Sequence, residues 1–169
     1  VEIFRPRRTS SAASIRAILA AMTARREPPP SDPEQGIYQG RRIARRFVSP
    51  DGFTVLVGKS ADDNDLLSLK LCAPQDFWFH LAADSGSHVV VRNPERVERL
   101  PRETERFAAA LAAGYSKAKG AGRVAVHACR GEDVSKRRGQ PPGEVTLERW
   151  RSLTVEPLRA EDLAAEPPR

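Results

Sequence analysis

Two of the chain's three histidines, His80 and His88, fall in one stretch with Asp84 and Ser87: Asp76-Phe-Trp-Phe-His-Leu-Ala-Ala-Asp-Ser-Gly-Ser-His-Val-Val-Val-Arg92. Imidazoles near neutrality can move protons, ligate metals or simply hydrogen-bond. A metal centre needs three or four converging ligands. His80 and His88 can meet across adjacent strands, but no cysteine or carboxylate completes an obvious set, so no metal and no cofactor are expected. Asp84, Ser87 and His88 are the residue types of a nucleophilic triad. Residues 87 and 88 of a strand, however, point to opposite faces, and Gly-Ser-His is not a G-x-S-x-G elbow. A structural, hydrogen-bonding role for these histidines is the simpler expectation, and the chain is not expected to be an enzyme.

The second kind of chemistry is cationic. Lys59, Lys117, Lys119, Lys136, Arg137 and Arg138 are placed at the ends of elements or in loops, where they can reach a partner. The whole chain has 28 Lys and Arg against 22 Asp and Glu, a formal net charge of +6. That balance favours a polyanion, nucleic acid before an anionic membrane surface. His80, Ser87, His88 and Ser116 are interleaved with the cations and can bond phosphates or sugar hydroxyls. Trp78 and Tyr115 could stack a base, but both lie on apolar periodic elements, which favours the core. Single cations are ordinary surface charge. Lys136-Arg137-Arg138, in a loop stiffened by Pro and Gly, is harder to explain that way.

The elements that must position these groups follow from turn residues and apolar spacing. Phe77 to Leu81 and Val89 to Val91 read as strands flanking the polar connection Asp84–Ser87. Ser10 to Arg26 reads as a helix with an Ile15, Ile18, Leu19, Met22 stripe, and Arg25 and Arg26 close its last turn. Pro28-Pro29-Pro30 ends it. The Arg41–Arg46 cluster reads as a solvated face leading into a hairpin of Phe47–Ser49 and Phe53–Val57 around Pro50-Asp51-Gly52. Ser60 caps a helix over 61–72 with Leu66, Leu69 and Leu71 or Cys72 inward. Its N-terminus is a weak anion site, since Asp62, Asp63 and Asp65 already satisfy the dipole. A helix over about 102–119, rich in alanine and stopped by Gly120, can pack closely on a sheet. Val124–Cys129 is a strand, and 145–147 with 153–155 is a closing hairpin with Trp150 near its turn.

The expected organisation is a basic arm (Arg5, Arg7, Arg8), amphipathic helix and Pro-rich linker over 1–36. A compact α+β domain covers 37–157, with a mixed or antiparallel sheet packed by two helices, and a tail covers 158–169. Cys72 and Cys129 lack CxxC spacing and read as buried free thiols. No apolar run approaches the length of a membrane span and no signal-peptide pattern opens the chain, so a cytoplasmic protein is expected.

Several blocks occur in a specific order: Asp51-Gly-Phe-x-Val-Leu-Val-Gly58, Asn64-Asp65-x-Leu67, Asp76-Phe-Trp-Phe-His80, Gly86-Ser-His-Val-Val90, Ala108 to Lys119 ending Tyr-Ser-Lys-Ala-Lys, and Pro142-Gly143. Together, over about residues 44–157, they resemble the NFACT-R domain, the RNA-binding module of the NEMF/RqcH family of ribosome quality-control factors. The resemblance implies an α+β RNA-binding domain. In the large factors this domain works on the large ribosomal subunit with tRNA while tails are added to stalled chains. Free-standing relatives are connected with tRNA thiolation. This sequence departs from the family pattern at Gly58–Asp63, which is more acidic, at Val126-His-Ala-Cys129, at Asp133–Arg138, and at Pro141, where a lysine is usual.

Three functions follow as expectations. The first is a non-enzymatic module for tRNA or rRNA, holding the backbone through the six cations and bonding through His80, Ser87, His88 and Ser116. The second is a part in tRNA modification, with His80 and His88 as acid–base groups or ligands. The third is an adaptor that docks a protein through the helix at 10–26.

Overall fold

Val55, Leu56 and Val57 are all fully buried, and so are Val89, Val90 and Val91. Successive strand side chains point to opposite faces, so a strand buried at every position must be covered on both. The computed structural model, which describes residues 11–23, 26–159 and 162, has that architecture. In chain order it contains α1 (Ser11–Thr23), β1 (Ile37–Tyr38), β2 (Arg41–Arg42), β3 (Ala44–Val48) and β4 (Thr54–Gly58). Next come α2 (Ala61–Leu66), a π-helical turn (Leu67–Leu71), β5 (Phe77–Leu81), β6 (Val89–Val91) and α3 (Arg102–Gly114). The remaining strands are β7 (Val124–Arg130), β8 (Val134–Ser135), β9 (Thr146–Leu147) and β10 (Arg151–Val155).

Six strands make one sheet in the order β10-β7-β5-β6-β4-β3, every neighbouring pair antiparallel. The fold is α+β. On one face α3 lays Ala108, Ala109, Leu111, Ala112 and Ala113 against Val55, Val57, Phe77, Phe79, Val89, Val91 and Val126. Alanine leaves little side chain between helix and sheet, so the two approach closely. On the other face Leu67 and Leu71 cover Leu56, Trp78 and Val90, with Ile43 and Ala44 alongside. The ribbons β1–β2 and β8–β9 flank this second layer.

Several expectations are corrected. The 61–72 helix is α-helical only to Leu66. The π turn then brings Leu67, Ser68 and Leu71 inward, leaving Leu66 and Leu69 half-buried. The helix at 102–119 stops at Gly114, because the chain beyond it pairs elsewhere: Ser87 N–H donates to Tyr115 O, Lys117 N–H to Ser85 O, and Gly86 bridges Ser116. Gly120 has φ +81° but lies beyond the helix end. Residues 145–147 and 153–155 do not pair with each other; β9 pairs β8 and β10 pairs β7. The Arg41–Arg46 cluster is not one solvated face, since Ile43 and Ala44 inside it are fully buried.

The N-terminal helix is present over Ser11–Thr23, with Ile15, Ile18, Leu19 and Met22 exposed. Arg26 is not helical. The arm with Arg5, Arg7 and Arg8, Arg25, and most of the tail after Arg159 lie outside the described residues. Cys72 and Cys129 are free and half-buried rather than fully buried. Burial pushes both thiols up, Cys129 to about 12. No described helix is long and apolar enough to cross a membrane.

Candidate functional site

The three histidines share one row of the sheet. His80 on β5 faces His127 on β7 directly. His88 lies one position beyond the last β5–β6 pair, Phe79–Val89, and so stands beside His80 on its other flank. The His80 and His88 rings are 5.1 Å apart, edge on, and Trp78 packs under both at 5.9 and 5.0 Å. This row floors an open cleft of about 920 Å³. Asp84–Ser87 and Tyr115 form one lip; Pro141–Glu144 and Trp150 form the other; Lys59 lies at the edge.

The innermost histidine is fully committed to structure. His88 is 1% exposed. Its Nε2 lies 3.0 Å from the Gly143 carbonyl, which can only accept, so Nε2 carries the proton. Its Nδ1 therefore accepts from the Ser68 hydroxyl at 2.7 Å, and Ser68 Oγ accepts from Trp78 Nε1–H at 2.8 Å. Tautomer and hydroxyl direction are fixed by that chain of donors. Desolvation lowers the His88 imidazole to about 4, with neighbouring His80 acting in the same direction. Burial also lowers His80, with His127 adding to the effect and the Gly86 backbone opposing it.

Glycines allow the lips to close on this floor. A Cβ at Gly58 would sit 2.0 Å from Asn64 Oδ1. Without it, the Asn64 amide bonds the His88 N–H at 3.0 Å and the Gly86 carbonyl at 3.3 Å. A Cβ at Gly86 would sit 2.5 Å from Ser116 Cβ, so the Ser85–Ser87 lip can meet the Tyr115–Lys117 turn only with glycine there. Gly143, at φ +83°, lies against Ala61 and donates its N–H to Asp65 Oδ1.

These bonds sort the residues singled out from the sequence. Ser87 donates to Gly58 O, tying the first lip to the end of β4, and Ser116 donates locally to Ala113 O. Lys136 is held by Asp65 at 3.0 Å and by the carbonyls of Pro141 and Glu144, so its ammonium secures the second lip. His80 floors the cleft, and His88 lies beneath its surface. Lys59, Lys117, Lys119, Arg137 and Arg138 are exposed. Lys117 and Lys119 belong to the turn behind the first lip, and Arg137 and Arg138 to the loop that forms the second. Asp84 bonds its neighbour Ser85 N–H, so no Asp84–Ser87–His88 triad is assembled. Ser60 caps α2 through Asp63 N–H, and Asp63 pairs with Arg41, which closes that helix end to an anion. Among the described residues, no three His, Cys, Asp or Glu side chains converge as metal ligands.

Sequence reasoning missed two groups. His127 completes the row, and Trp150, 53% exposed, lies 5.7 Å from its ring. Strand register joins them, and no local pattern carries that information. Of the two aromatics that the sequence offered for stacking, Trp78 is buried, and Tyr115 is half-buried under the Arg45 guanidinium at 5.1 Å.

The fold is thus an α+β sheet with an open cleft on one face, Lys59 on its lining and Lys117, Lys119, Arg137 and Arg138 exposed on the segments that adjoin its lips. The chain belongs to the family described as NFACT protein RNA binding domain, whose model matches residues 44–149. It is 36% identical over 115 residues to the Rqc2 homolog RqcH of Bacillus subtilis, covering 68% of this chain and 20% of that protein. The Streptococcus suis RqcH is 35% identical over 119 residues, covering 69% of this chain and 21% of that one. The NEMF homolog of the ribosome quality control complex in Drosophila melanogaster is 31% identical over 72 residues, 43% of this chain and 7% of that one. The chain thus spans about a fifth of the length of the RqcH relatives. Among solved structures, the C-terminal part of the fibronectin/fibrinogen-binding protein from Streptococcus suis matches with a TM-score of 0.67 at 30% identity. That match covers 88% of this chain and 57% of the other.

Proposed function

We propose that this chain is a non-catalytic RNA-binding module of ribosome-associated quality control. It engages tRNA or rRNA at the large ribosomal subunit through the cleft and its two lips. The observation that carries the reading is the state of the lip cations. Among the described residues, Lys59, Lys117, Lys119, Arg137 and Arg138 enter no ion pair, whereas Asp63, Asp65, Asp76 and Asp133 are all paired. Exposed cations without acidic partners, one on the cleft lining and the others on segments next to its lips, suit a phosphate backbone. Family membership and the names of the relatives support the RNA and the quality-control setting. A role in tRNA modification has no such support: the relatives carry quality-control names, and the innermost histidine has both ring nitrogens engaged by the protein. Residues 37–157 are the part assigned to RNA, and α1 is the part available to a protein partner.

The reading is tested by equilibrium binding to bulk tRNA and to a large-subunit rRNA fragment, comparing wild type with Lys117→Ala/Lys119→Ala. Binding to either RNA that the double change weakens is expected. Absence of binding to both would overturn it.

A further inference from the structure

Trp150 is exposed at the edge of the cleft, although an indole gains about as much from burial as any side chain. The other large apolar side chains left exposed among the described residues are Val48 and the four on α1. Trp150 is the one that faces a concavity, and its neighbour there is a second flat ring, His127. Among the described residues no side chain or backbone group hydrogen-bonds the His127 ring, and none of its nitrogens is both buried and unpartnered. The two rings therefore offer an aromatic surface with free hydrogen-bonding groups at its margin.

The cleft's size and floor limit what can lie on that surface. Its volume of about 920 Å³ is at the upper end for a small-ligand pocket and far too small for a duplex. Burial keeps His80 and His88 uncharged, so the floor does not attract an anion. Charge is at the edges instead, with Lys59 on one side and Lys117 beside Ser85 on another. A flat, neutral, polar-edged group inside and a phosphate outside is the pattern of a nucleotide.

We infer that the cleft seats one unstacked nucleotide of the bound RNA, its base against Trp150 and His127 and its edge toward His80. The inference rests on the RNA-binding reading above and deepens it. A base paired within a helix, including the closing pair of a blunt end, is held in the stack and cannot enter, whereas a bulged, looped or overhanging base can. The phosphates flanking that base fall to Lys59 and Lys117. The module thus selects RNA by local unpairing, with the outer cations supplying affinity that does not depend on it.

The test uses the full chain and two RNAs, a blunt duplex and the same duplex with one bulged adenosine. Affinity is read by anisotropy, and the indole by its emission. The bulged RNA is expected to bind more tightly and to quench Trp150; the intact duplex is expected to bind without quenching. Trp150→Ala is expected to weaken the bulged RNA by about 5- to 150-fold, the range of one base–aromatic stack, and to leave the duplex unchanged. Trp150→Phe should restore most of the loss, and His127→Ala should reproduce part of it. Unchanged thermal midpoints exclude misfolding, since both side chains lie at the surface of the cleft. Equal, salt-sensitive binding of the two RNAs, or a Trp150→Ala variant that binds both like wild type, overturns the nucleotide site while the RNA-binding reading stands. Binding to neither RNA overturns the nucleotide site, and the RNA-binding reading falls with it only where tRNA and the rRNA fragment also fail to bind.

Discussion

Ser68 links two neighbouring side chains on one face of the sheet. Its hydroxyl accepts from Trp78 and donates to His88, and each of the three is buried. Ser68→Ala leaves an indole N–H and an imidazole nitrogen without partners. The expected loss is about 2–6 kcal/mol by urea unfolding, one to three for each orphaned group. His88 makes stability depend on pH. Its folded value, about 4, lies below the ordinary 6.5, so the unfolded chain binds the proton first. Its contribution is therefore complete above about pH 6.5 and is lost as pH falls toward 4, to a total of roughly 3 kcal/mol. Stability measured across that window in wild type and His88→Gln should show a slope in the first that is shallower in the second. Lys136 belongs to the same kind of chemistry. Lys136→Met is expected to cost about 1–2 kcal/mol by releasing Asp65 and two carbonyls, whereas Arg137→Ala should leave unfolding unchanged and weaken RNA binding. The sequence marks His80, His88 and Lys136 as chemically notable. It cannot separate floor from latch, because the deciding partners, Ser68, Gly143 and Asp65, are distant in sequence and are brought there only by folding.

Elements with strong apolar patterning are legible in the sequence, and their ends are not. β5, β6 and β7 stand out because Phe, Trp and Val cluster there against turn residues. α3 is visible from its alanine-rich face, but the sequence draws it too long. Tyr115 and Ser116 are compatible with a helix locally and are captured by the Gly86 lip. The π turn after α2 shifts the inward face from Leu66 and Leu69 to Leu67 while Leu71 stays inward as expected, a phase change that no 3.6-residue pattern carries. The spacing around Trp150 suggests a hairpin that does not form, because β8 and β7 claim its two arms. The glycine lip gives a direct check. Gly86→Ala forces a methyl group against Ser116 and should destabilise the fold by about 1–3 kcal/mol. Faster hydrogen exchange should appear at Ser87 and Lys117, whose N–H groups tie the two segments together.

Taken as one body, the molecule separates its structural charges from its ligand-facing ones. The buried or half-buried acids Asp63, Asp65, Asp76 and Asp133 are paired by Arg41, Lys136, Arg92 and Arg149. The net positive charge is left to exposed cations, several of them on the lips. α1 stands apart from this arrangement. Its described side chains are exposed, so removing residues 1–26 should leave the melting temperature and RNA affinity within error of wild type. Loss of RNA binding on that deletion would move the interface away from the cleft. The basic excess is visible in composition, and which cations remain unpaired is not, because the acids that take up Arg41, Lys136, Arg92 and Arg149 reach them only through the fold. The most direct measurement is the salt dependence of RNA affinity for wild type and for a variant with Lys59, Lys117, Lys119, Arg137 and Arg138 all changed to Ala. Wild-type affinity should fall steeply with salt, and the variant's log–log slope should be shallower by about 0.7 for each phosphate that the variant leaves unneutralised. Identical slopes for the two proteins, or a flat wild-type response, would contradict a phosphate-binding role for the cleft lips.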